Sequence, residues 1–184
     1  MADNTATSTA ELSQLRVLAH PLRLRMVSLL TGAPFSATEL ARELGITQAA
    51  ASYHLRQLHH AGVITLLEVR AKRGGRERVY AYAPPAAQAH GSAAPSEGYQ
   101  LFAEAIAAEI RRRSHEVFSG SPRIGVDAEL WVEPSDWQQA VDGVRAASLR
   151  LHERARRPRA AGTIRVSMSA ALFQMTTPDT VPDE

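Results

Sequence analysis

The feature that most constrains this fold is a run of two short helical patterns separated by a single glycine, followed at once by a change of period. Ser36 and Glu39 form an S-x-x-E capping box that opens a helix through Leu44, and Gly45 supplies the left-handed stop. Thr47 is a natural N-cap for a second helix, which runs to Ala61 and stops at Gly62. Then Val63 to Arg70 and Glu77 to Ala83 turn β-branched and aromatic around a basic Gly-Gly turn at Lys72 to Arg76, the pattern of a hairpin. Helix, tight turn, helix and hairpin in fewer than fifty residues leave few folds open.

The second helix divides by chemistry. Ala51, Leu55 and Leu58 suit packing against Leu40, Leu44 and Ile46, with Ala41 and Ala51 small where the axes approach. The opposite face is short and polar: Thr47, Gln48, Ala49, Ser52, Tyr53 and Arg56. A helix of that kind can enter a major groove about 12 Å wide. Gln48 can pair bidentately with adenine, Ala49 can meet a thymine methyl, and Ser52 can reach a base or a phosphate. Arg56, a turn further on, suits backbone phosphate, as do Lys72, Arg73 and Arg76 at the hairpin tip.

In order and spacing, Leu18-Ala-His-Pro-Leu-Arg-Leu-Arg-Met-Val27, Thr38-Glu-Leu-Ala41, Ile46-Thr-Gln-Ala-Ala-Ala-Ser-Tyr-His-Leu55 and Leu58-His-His-Ala-Gly-Val-Ile64 resemble the arsenical-resistance-repressor (ArsR) family of winged-helix regulators. The resemblance covers roughly residues 12–84. It implies a homodimer that binds double-stranded DNA at a pseudo-palindromic operator and usually represses, with Gln48, Ser52 and His54 at the reading positions. A cytoplasmic location is expected separately, from the lack of a signal-peptide or membrane-span pattern. Metal-sensing members carry cysteines on the helix before the recognition helix, or Asp and His pairs on the last helix. Ala41 and Glu43 stand where thiolates would be, and His115 and His152 lack such partners, so no metal site is expected.

The rest of the chain has a different character. Residues 1–88 carry 10 Lys/Arg against 6 Asp/Glu, and residues 89–184 carry 11 against 13, so only the first half leans towards a polyanion. The reading is α+β: a polar tail (1–10), a winged helix-turn-helix domain (11–84), a linker rich in Ala, Pro, Ser and Gly (85–98), a smaller helix-strand-helix-strand region (99–175) and a second tail (176–184). Within the third part a stripe of Tyr99, Phe102, Ile106, Ile110 and Val117 predicts a helix near Glu97–Phe118. Alternation predicts strands at Ala128 to Glu133 and from Ile164 towards Met175. A helix starting at Pro134 runs between them to about Arg157.

Trp131, Trp137 and Phe173 could line an effector pocket for a small molecule, with a core or dimer interface the more favoured role for these aromatics. The Arg111–Arg113 and Arg154–Arg159 runs read more readily as solvated faces than as extra DNA contacts. His54, His59 and His60 are close in sequence, but adjacent helical positions point about 100° apart and chelate poorly. The chain lacks cysteine, paired catalytic carboxylates, a nucleophile elbow and a phosphate-binding loop, so neither an enzyme nor a resident cofactor is expected. Neither a signal peptide nor a membrane span is expected. The competing reading is a winged helix used for protein–protein contact, against which the basic hairpin tip argues.

Overall fold

The computed structural model describes residues 14–72, 75–82 and 97–175. The expected tails, 1–10 and 176–184, lie outside these residues, as does the expected linker apart from its last two positions. Helical residues 14–18 (α1) lead to α2 (Pro21–Gly32), where Pro21 takes the first turn and His20 caps it by accepting from the Leu22 N–H at 3.1 Å. A two-residue strand, β1 (Phe35–Ser36), precedes α3 (Ala37–Leu44) and α4 (Gln48–His60). Strands β2 (Ile64–Lys72) and β3 (Gly75–Tyr82) follow, then α5 (Glu97–Ser114) and α6 (Pro134–Arg154).

Local signals account for most boundaries. Ser36 Oγ accepts from the Glu39 N–H at 3.3 Å while the Glu39 carboxylate accepts from the Ser36 N–H at 2.8 Å, closing the capping box. Gly45 at φ 67° ends α3, a conformation that costs a residue with a Cβ about 1–2 kcal/mol. Thr47 Oγ1 accepts from the Ala50 N–H at 3.2 Å and starts α4, a cap worth about 1 kcal/mol. The strand β1 has no counterpart among the elements expected from the sequence. It pairs with β3 through Phe35↔Tyr80 and Ser36↔Val79, giving an antiparallel sheet of order β1-β3-β2.

The core lies between α2, α3, α4 and this sheet. Met26, Leu40, Ala51, Leu58 and Val79 are fully enclosed, with Leu30, Phe35, Leu55, Ile64 and Tyr80 around them. On α2 the enclosed residues are Met26 and Leu30, and Leu22 and Leu29 are partly buried against the core. The sheet supplies a wall that a helix-only pattern does not take into account.

The last described segment returns to this domain. Arg157 donates to the Pro34 carbonyl at 2.7 Å and to Glu39 at 3.3 Å, and its guanidinium lies 5.0 Å from the Phe35 ring centroid. Arg159, at φ 63°, is held by Glu43 at 2.6 Å. A Cβ on Gly32 would meet the Arg156 carbonyl at 2.8 Å, so glycine is what lets this strap lie so close. The Arg154–Arg159 run is therefore in part a set of internal contacts. Arg157→Ala is expected to lower stability by about 1 kcal/mol, with Arg157→Lys recovering little because only the planar guanidinium stacks and forks. Urea unfolding of the three proteins checks this; full rescue by lysine would refute the stacking argument.

The region after Glu97 departs from expectation. Helix α5 packs on α2, buries Ala105, and ends four residues before the expected Phe118. Residues 128–133 and 164–175 carry no strand, and α6 buries none of its residues. A strand exists only where a neighbour takes up its backbone hydrogen bonds, and neither segment finds one among the described residues.

Candidate nucleic-acid interface

Helix α4 and the β2–β3 hairpin face one another across an open cleft of about 660 Å³. Gln48, Ser52 and Arg56 line one side, and Arg76, Glu77 and Arg78 line the other, with Thr38 of α3 at the edge. Three guanidinium groups against one carboxylate give the cleft a positive lining, suited to a polyanion. The floor is Leu55 and Tyr80, members of the core, so the two walls are tied to one rigid body.

Each wall follows from local sequence. Because Ala51, Leu55 and Leu58 point inward, residues three and four positions away project outward together. Thr47, Gln48, Ala49, Tyr53 and Arg56 are exposed, and Ser52 is half-buried at the cleft edge. In the hairpin, Arg76 and Arg78 share one face of β3 by strand alternation. The sequence reading named Arg76 and missed Arg78; the two-residue spacing was the available signal. Strand β2 carries a bulge between Leu66 and Glu68, which changes which side chains face α4 beyond that point. Arg73 and the Lys72 side chain lie outside the described residues.

His54 is placed differently from its neighbours on α4. Its ring lies 5.0 Å from His20 and 5.2 Å from Tyr53, and its Nδ1 is buried without a hydrogen-bond partner. Burial, then the charge of Arg23, lowers the His20 pKa; burial, then His20 and Arg23, lowers that of His54. His152, edge-on to Tyr82, is lowered by burial. Since the folded pKa lies below the ordinary 6.5, the unfolded chain binds protons more readily as pH falls past that value. The Tm is therefore expected to be highest above pH 7 and to drop as pH is lowered from 7 to 5.5. His54→Gln should shrink the drop, and an unchanged profile in that variant would refute the role given to this ring.

The remaining candidates scatter. His59 packs edge-on against Tyr80 at 5.7 Å. Arg112 and Arg113 both donate to Glu109, which is buried; burial raises that carboxyl, and Arg112 then Arg113 outweigh it and hold it below the carboxylate range. Trp131 is 81% exposed, Trp137 is half-buried on α6, and Phe173 meets Tyr99 at 5.5 Å. Among the described residues no ring contact joins those three, and no group of three or more His, Asp or Glu side chains could hold a metal ion. Nor is any described helix long and apolar enough to cross a membrane.

Residues 18–66 match a family described as a helix-turn-helix domain, and the matched stretch ends inside the first strand of the hairpin. Residues 18–66 carry a helix-turn-helix domain, and with the hairpin that follows it the fold is a winged helix-turn-helix. Over 68 residues the chain is 37% identical to the HTH-type transcriptional regulator NmtR of Mycobacterium tuberculosis (strain ATCC 25618 / H37Rv). That match takes in 37% of this chain and 52% of the relative, so the chain spans about half the length of the curated relative it matches. It is also similar to the crystal structure of M. tuberculosis Rv0081, at 28% identity over 54% of this chain and 85% of that one, with a TM-score of 0.32. In this winged helix-turn-helix, α4 is the second helix and β2–β3 the wing.

Proposed function

We propose that this chain is a sequence-specific, DNA-binding transcriptional regulator that acts in the cytoplasm as a homodimer on a pseudo-palindromic operator, in the repressing sense. The observation that carries the reading is the cleft: α4 offers Gln48 and Ser52 for base edges, while Arg56 and the wing residues Arg76 and Arg78 supply charge for the flanking phosphates. Lys72 and Arg73 at the wing tip would add to that charge. The relative, named as a transcriptional regulator, supports a role in transcription; the repressing sense and the paired subunits follow from the ArsR resemblance alone.

Pairing would use α5, whose Leu101 and Ile110 are exposed, to set two recognition helices about 34 Å apart, one turn of DNA. Neither enzymatic chemistry nor a bound metal is part of this reading. A small-molecule effector would act through the region after Glu97, with Trp131, Trp137 and Phe173 as the aromatic side chains available to it.

A mobility-shift assay on DNA from the protein's own promoter tests the proposal. The expected result is a shift at nanomolar protein with a preference of about 10³-fold or more over random DNA at moderate salt. Equal affinity for both would overturn it.

A further inference from the structure

The region after α5 contains two stretches that make no sense as parts of an isolated chain. Every described residue from 114 to 136 is exposed, including Ile124 at 94% and Val126 at 85%, with Leu130, Trp131 and Val132 following. The second stretch, residues 164–175, is exposed throughout, Ile164 at 85% and Val166, Met168, Leu172, Phe173 and Met175 with it. Thirteen large apolar side chains in solvent, in stretches that lead into and out of a 21-residue helix, far exceed the scattered exposure normal for a soluble surface.

The course of the second stretch shows what is missing. Arg165 pairs with Glu116 just beyond the C-terminal end of α5, and Phe173 packs on Tyr99 at its N-terminal end. Seventeen helical steps cover about 26 Å. Eight residues cover about 26 Å only when fully extended. The segment is thus an extended stretch, without strand pairing, laid antiparallel along a helix. Among the described residues no backbone–backbone hydrogen bond reaches residues 123–132 or 164–175.

The two stretches complement each other. In the first, Ala128, Leu130 and Val132 alternate with Asp127, Glu129, Trp131 and Glu133; in the second, Ile164, Val166 and Met168 alternate with Arg165, Ser167 and Ser169. Paired as strands, they place apolar side chains together on one face and acids beside an arginine on the other. Residues 123–133 carry one arginine against three acids, and residues 163–175 carry Arg165 and no acid.

We propose that the two stretches pair between chains: residues 123–133 of each copy add as a strand to residues 164–175 of a second copy, so that the homodimer is an exchange of arms. This rests on the homodimer reading above. Each copy offers one arm and one α5-backed strand, so a two-fold axis satisfies both at once and leaves neither stretch unpaired.

The absence of native cysteine allows a clean test on the full chain. Ser167→Cys is mixed with Asp127→Cys, Glu129→Cys or Trp131→Cys in turn, allowed to exchange subunits and oxidised, and the disulfide-linked peptides are identified by mass spectrometry. Sedimentation of the unmodified chain gives the oligomeric state in parallel. The expected results are a dimer, a mixed 167-to-arm peptide from at least one of the three mixtures, and amide exchange at 124–132 and 164–172 slowed by about 100-fold or more relative to unpaired chain. A sedimenting dimer with no mixed peptide overturns arm exchange while the homodimer reading stands. A monomer overturns both. Double variants that close the disulfide within one chain also overturn the proposal, since they place the pairing in cis.

Discussion

Replacing Leu58 by alanine is expected to lower the unfolding free energy by about 2–5 kcal/mol, out of a total of roughly 5–15 for a domain of this kind. Leu58 has no exposed surface and sits on α4 amid the core that ties the recognition helix to α3 and the sheet. Truncation removes apolar burial and leaves a cavity between elements that are joined by short turns and cannot close over it. Leu67 offers the matched comparison: it is 56% exposed at the β2 bulge, so Leu67→Ala should stay within about 0.5 kcal/mol of the parent. Urea melts of the two variants decide the matter. Equal losses would mean that α4 is not seated by the packing described here.

Gln48→Ala and Arg76→Ala are expected to weaken DNA binding in two different ways. Gln48 is exposed on the first turn of α4 and can pair with a base edge, so its loss should cost about 1–3 kcal/mol on the operator, about 5- to 150-fold. On random DNA it should cost little. Arg76 is exposed on the wing with no base-reading geometry, so its loss should weaken operator and random DNA alike and reduce the salt slope by about 1. Titrations on both DNAs at several salt concentrations separate the two. A pair of variants that lose affinity equally on both DNAs would refute the division of labour between helix and wing.

Much of this was legible because it depends on neighbours in sequence. The capping box at Ser36 and Glu39, the left-handed Gly45, the Thr47 cap and the Gly-Gly turn each act over three or four residues, and the structure uses the first three as read. The inward face of α4 followed from helical spacing alone. The two-residue β1 was not legible, since it is too short to show a period and exists only because β3 is beside it. Arg78 was legible but overlooked. The inward turn of His54 was not, because its direction depends on His20, thirty-four residues earlier in the chain.

The strands expected at 128–133 and 164–175 mark the boundary between the two kinds of information. Alternation states that a segment has two unlike faces; it does not state what will cover one of them or take up the backbone hydrogen bonds. By itself the sequence determined the helix-turn-helix, the hairpin and the polar reading face, because caps, turns and periodicity are local. Only the tertiary structure decided that α4 and the wing share one cleft, that Arg157 and Arg159 strap the segment after α6 to α3 and the residues before it, and that two alternating segments stand without a strand partner among the described residues. Those outcomes depend on which surfaces meet after long loops close, and loop closure leaves no local mark on the residues it brings together.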